Sequence, residues 1–215
     1  LPVQLKREIK MRKFMELFNL VNGRPLPEEE LGEASRLRLV IKATLVSMAF
    51  AVVWGLAVGS SDFSLAVSNI YKLPMVLLLS ALCALPASLL AWKMFGLETR
   101  STDLVMGLAT CNFAGTLVLA VLAPIVALYY HTSAHLGGKL AMAACFLAMV
   151  TGWVVLFRAV KFRTAEIVSF RKVCGPLLVL LLVHMAAVIQ FIHIASPILP
   201  EVTVFDGGMD GVLGS

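Results

Sequence analysis

Five apolar stretches, each long enough to cross a bilayer, constrain this chain more than any other feature. A hydrocarbon core of roughly 30 Å needs about 20 helical residues. The stretches run from about Leu39 to Gly59, Leu73 to Phe95, Leu104 to Tyr130, Lys139 to Phe157 and Gly175 to Ala195, and none contains an acidic residue. In lipid each backbone N–H and C=O must be paired within the segment, so stretches of this kind are helices. The expected fold is all-α: a polytopic membrane protein with a five-helix transmembrane bundle at 39–195, a segment 1–38 before it and a tail 196–215 after it. Composition agrees, with 60% of residues hydrophobic and 14% charged, where a soluble domain carries roughly a quarter charged.

Charge then sets direction. Of the 18 Lys and Arg residues, nine precede or just enter the first stretch (Lys6 to Lys42). Two (Lys93, Arg100) lie between the second and third stretches, and five (Arg158 to Lys172) between the fourth and fifth. Only Lys72 and Lys139 fall on the other side. The excess of basic residues marks the cytoplasmic face. The expected location is the cell inner (cytoplasmic) membrane, multi-pass, with the N-terminus cytoplasmic and the C-terminus exterior or periplasmic. The tail agrees, carrying Glu201, Asp206 and Asp210 and no base. A net charge of +5 beside membrane spans is explained by topology and anionic headgroups. No nucleic-acid motif accompanies it, so the lipid bilayer, and not nucleic acid, is the expected partner. The first 38 residues are charged rather than signal-like, so no cleavable signal peptide is expected.

That N-terminal segment has a pattern of its own. Met11, Phe14, Met15, Phe18 and Val21 follow helical spacing, with Arg12, Lys13, Glu16 and Asn19 off the stripe. A basic amphipathic helix beside a membrane fits the cytoplasmic interface, the alternative being a docking helix for a cytoplasmic partner. Asn22, Gly23, Pro25 and Pro27 break it, and Glu28, Glu29 and Glu30 follow as a favourable first turn for a helix leading into span one.

Small residues recur at every fourth position within the spans. Span one has Ala43, Ser47, Ala51, Gly55 and Gly59, and span two has Ser80, Ala84 and Ser88. Span three has Gly107, Cys111 and Gly115, and span four has Ala144, Ala148 and Gly152. Such stripes let helix backbones approach closely in lipid. Ser47, Ala51, Gly55, Gly107, Gly115, Ala148 and Gly152 are the expected packing residues. Span five differs, because Leu177 to Val183 is an unbroken Leu/Val run and reads as a lipid- or partner-facing helix. Pro86 and Pro124 fall inside spans two and three, where each removes a backbone donor and can kink its helix around a cavity.

Polar groups inside a membrane are functional candidates by default. Thr110, Asn112 and Thr116 in span three are expected to hydrogen-bond between helices. His184 lies near the centre of span five; it is either a hydrogen-bonded core residue or an axial ligand to haem or chlorophyll. His131, His135 and His193 could meet as a metal site at the outer end. Cys83, Cys111, Cys145 and Cys174 stand singly in different apolar segments, as small buried residues do. The sequence contains no Walker motif, no Gly-x-Ser-x-Gly and no His-Glu-x-x-His, so no enzymatic activity is expected.

Residues 72 to 158 contain Lys72-Leu73-Pro74, Leu85-Pro86, Leu122-Ala123-Pro124-Ile125, Lys139-Leu140 and Leu156-Phe157-Arg158. In these strings the chain resembles the bacterial branch of the Ypt-interacting (Yip) family. That resemblance implies a cytoplasmic N-terminal segment, five spans and a short exterior C-terminus. It implies a fold without an activity, and the absence of the tyrosine- and glycine-rich signature of the eukaryotic trafficking members argues against a small-GTPase partner.

The leading functional reading is a non-enzymatic structural or accessory subunit of a larger membrane assembly, with other membrane subunits as partners and no cofactor. The exterior tail holds three acids and four glycines between Gly207 and Gly214, a composition that does not fold alone. Val204, Phe205 and Val212 are its expected anchors on a partner. A transport or channel component is the second reading, and a pigment- or haem-binding subunit through His184 the third. The charge asymmetry makes a direct prediction: cysteines introduced at Ser169 and Ser215 label from opposite sides of the membrane. Labelling from the same side would rule out five spans.

Overall fold

The computed structural model describes residue 21 and residues 32–97, 101–164 and 170–200. Within them the chain is helical, with five helices long and apolar enough to cross a membrane. They are α1 (Glu33–Val58), α2 (Phe63–Met94), α3 (Ser101–Thr132), α4 (Ala134–Thr164) and α5 (Phe170–Ala195). At 26 to 32 residues and 1.5 Å per residue they are about 39–48 Å long, more than the roughly 30 Å hydrocarbon core. The chain is a multi-pass membrane protein. The amphipathic helix expected from Met11 lies outside the described residues, save for Val21, which is helical and packs beside Leu39, Ala43 and Phe113.

Each helix extends beyond the apolar stretch that announced it, and the ends have local causes. α2 starts ten residues before Leu73 because Asp62 caps it. The carboxylate accepts from the backbone N–H of Ser64 at 2.8 Å and of Leu65 at 3.3 Å, and from the Ser64 hydroxyl at 2.9 Å. The Ser64 hydroxyl, then the two backbone donors, hold this carboxyl below its usual range. The cap therefore acts above the ordinary carboxylate range and is lost as pH falls through the depressed value. At the other end Gly96 adopts φ 65°. Its N–H donates to Lys93 O, and that of Leu97 to Trp92 O, a Schellman closure that favours glycine at this position.

In space the helices follow the order α5, α2, α1, α3, α4, with α3 and α4 the most closely packed pair. The row curls so that α2, α3, α4 and α5 meet at one end, around Trp92, Leu104, Leu156, Val160, Val173 and Leu177. This is the basic end, where Lys93, Arg158, Lys161 and Lys172 lie. At the opposite end α1, α3 and α4 meet around Trp54, Val58, Val126, Tyr130 and Ala144.

The small-residue stripes lie at the helix contacts. Ala43, Ser47, Ala51 and Gly55 of α1 and Gly59 just after it are all buried, as are Ser80, Ala84 and Ser88 of α2. A Cβ placed on Gly55 would stand 2.8 Å from the backbone oxygen of Asn69 on α2. Between α3 and α4 two stripes interlock. A Cβ on Gly115 would stand 3.1 Å from Ala148 O, and one on Gly152 would stand 3.0 Å from Cys111 O. At such separations a glycine hydrogen fits between the backbones, whereas even a methyl group would push them apart.

Span five departs from its expected lipid- or partner-facing character. Leu177 and Leu180 are fully buried, while Leu178 and Leu182 are more than half exposed. One face of the Leu/Val run packs on α2 and the other faces outward. In lipid both faces can be apolar, so hydropathy does not distinguish them.

Gly55→Leu drives a branched side chain into the α2 backbone, where overpacking costs about 1–3 kcal/mol or more. Thermal unfolding in detergent is expected at clearly lower temperature than for wild type, whereas Leu182→Ala on the outward face changes it little. Equal melting of Gly55→Leu and wild type would mean that α1 and α2 do not approach as closely as described.

Candidate functional site

The polar groups that connect distant parts of the bundle lie near its two ends, and the sequence pattern missed both sets. At the basic end Arg36 of α1 donates to Asp103 in the first turn of α3 at 2.8 Å, with side chains only 15% and 11% exposed. Asp103 stands one residue before the third apolar stretch, and its partner is 67 residues away. Removing one partner of a largely buried pair strands the other charge.

At the opposite end Asn69 of α2 is completely buried. Its Nδ2 donates to Gly55 O at 3.3 Å and to Ile198 O at 2.9 Å. One turn along, Lys72 Nζ donates to Pro197 O at 2.9 Å. Ile198 and Leu199 pack against the opposite-end core with Trp54 and Tyr130. The residues following α5 are thus folded back over the end of the bundle and held through their carbonyls. Lys72, one of the two basic residues on this side, serves as a clamp.

The hydroxyls expected to bridge helices do not. Thr110 Oγ1 donates to Met106 O at 2.7 Å, and Thr116 Oγ1 to Asn112 O at 2.7 Å. Ser47 and Ser88 bond Ala43 O and Ala84 O in the same way. A carbonyl four residues back is always within reach in a helix, whereas a partner on another helix must be positioned.

A groove of about 160 Å3 runs between α1, α2 and α3. Its lining includes Val40, Met48, Leu78, Leu82 and Leu108, with Asn112 among its few polar groups. Asn112 is therefore a groove residue. Pro86 and Pro124 both face outward, and neither lines this groove.

His184 is 8% exposed and lies beside the Ser80 backbone of α2. Its Nδ1 is buried without a hydrogen-bond partner among the described residues. His131, His135 and His193 are exposed. Among the described residues no group of three His, Cys, Asp or Glu is placed to hold a metal. Of the packing residues, Ser47, Ala51, Gly55, Gly107, Ala148 and Gly152 are buried and Gly115 half-buried. All four cysteines are free; Cys111 is buried, Cys174 half-buried, and Cys83 and Cys145 are exposed. Val204, Phe205 and Val212 lie outside the described residues.

Asn69→Ala leaves Ile198 O without its donor, while Gly55 O keeps the Gly59 N–H, at a cost of about 1–3 kcal/mol. The expected result is faster amide hydrogen exchange and easier proteolysis just after Pro200. Thr116→Val, which removes only a bond within one helix, should leave both unchanged. If Asn69→Ala behaves like Thr116→Val, the clamp contributes nothing.

No protein-family model, curated protein or solved structure matches the chain.

Proposed function

We propose that the chain is a non-enzymatic structural or accessory subunit of a larger membrane assembly, in the inner membrane with its C-terminus outside. The observation that carries this reading is the clamp at the opposite end. Two side chains of α2, Asn69 and Lys72, hold the carbonyls of Ile198 and Pro197, so the segment just before the tail is fixed on the end of the bundle. A tail too glycine-rich to fold alone thereby starts from a defined position, which lowers the ordering cost of docking it on a partner. The sidedness comes from the distribution of Lys and Arg. The five-span layout of the Yip family belongs to the same reading, as do lipid and neighbouring membrane subunits as partners, with no cofactor required.

A pigment- or haem-binding role is the second reading, because the unpartnered Nδ1 of His184 is a buried base within a span. Absorption spectroscopy of the purified protein addresses it directly. A transport or channel role gains nothing from the outward-facing Pro86 and Pro124.

Deleting 201–215 tests the leading reading. Membrane insertion and melting in detergent should match wild type, while copurification of the neighbouring subunits is lost. Copurification at full stoichiometry would place the contact instead on α5 or on the N-terminal segment.

A further inference from the structure

Val21 has a place that the five helices do not explain. It is helical and half-buried, and it packs in one cluster with Leu39 and Ala43 of α1 and Met106, Ala109 and Phe113 of α3. It is also the last member of the apolar stripe Met11, Phe14, Met15, Phe18 and Val21. At helical register these side chains share one face of a segment about 15 Å long, with Glu16 on the opposite face.

α3 supplies a second observation. It meets α4 through Gly107, Cys111 and Gly115, and α1 through Ala109 and Phe113. By register these two contact faces point about 180° apart. One flank between them, with Leu108 and Asn112, faces the groove and α2, and α5 lies on that side too, near Leu104. The other flank holds Thr110 and Ala114, about 100° from either contact face. α1 and α4 do not close it at this level, because they meet around Trp54 and Ala144 at the far end. Yet Thr110 is 1% exposed and Ala114 2%. Met106 borders this flank and shares its cluster with Val21.

We infer that residues 11–21 dock on their own bundle, with the stripe of Met11, Phe14, Met15 and Phe18 laid over the Met106, Thr110 and Ala114 flank of α3, between α1 and α4. That flank extends about 12 Å along the axis, which the segment is long enough to cover. An amphipathic segment suits the place, being apolar toward α3 and polar on its other side, where Arg12 and Lys13 can meet headgroups. A helix lying free in the interface, or docked on another protein, would leave Thr110 and Ala114 open to lipid. The inference does not depend on the proposed subunit role.

Photo-crosslinking of the full chain in mild detergent tests it. With benzoylphenylalanine in place of Phe18, illumination should give a monomeric product joined to the α3 peptide that contains Met106 to Ala114, identified by mass spectrometry. The same probe in place of Glu16 should lose that product. Disulfide trapping is the second measurement, with the four native cysteines replaced by alanine. Phe18→Cys with Thr110→Cys should close within one chain, whereas Glu16→Cys with Thr110→Cys should not. Either measurement stands if the other set of variants does not fold. A dimeric product would assign the flank to a second copy of the chain, and a product on another polypeptide to a partner. Crosslinks to detergent alone, or equal products from positions 18 and 16, would put the segment in the interface. Each of these outcomes overturns the inference.

Discussion

Everything in this molecule follows from having lipid as its solvent. In water an apolar side chain gains by turning inward, and that gain assembles the fold. In a bilayer the outside is as apolar as the inside, so burial of Leu or Val supplies no comparable force. What remains is close packing, together with the few polar groups that must be satisfied. The bundle uses the first at the contacts between α3 and α4, where Gly115 and Gly152 let each backbone meet the carbonyls of Ala148 and Cys111. It uses the same device between α1 and α2, where Gly55 admits the backbone of Asn69.

Long-range polar links occur near the ends of the bundle. Arg36 and Asp103 tie α1 to α3 at the basic end. Asn69 and Lys72 tie α2 to the segment after α5 at the other. Near the interface the cost of carrying a charge or an amide is lower than at mid-bilayer. Deeper in the spans, Thr110, Ser47 and Ser88 are turned onto their own helices. Helix register is thus set by glycine contacts, mid-span between α3 and α4 and near one end between α1 and α2, and by specific hydrogen bonds toward both ends.

The same division separates the two regions with a possible role. The clamp around Ile198 holds the residues after α5 on one end of the bundle, while the groove lies between α1, α2 and α3. They lie on opposite halves of the molecule and share no residue. A defect in one can therefore be read without disturbing the other.

The helical class and the five spans were legible in the sequence because each rests on local physics. Backbone pairing in lipid forces helices, and the four-residue spacing of small side chains marks a helix face whatever packs on it. The tail anchors Val204, Phe205 and Val212 and the sidedness of the termini remain sequence readings. Other features depended on partners far away in the chain. Asn69 is separated from Ile198 by 129 residues and Arg36 from Asp103 by 67, and nothing near any of them announces the match. Which face of the Leu177 to Val183 run is buried was likewise undetermined, because hydropathy carries no directional signal when both surroundings are apolar. Helix order in space, the groove and the clamp belong to tertiary structure alone, since each is made by residues from three or more separate segments.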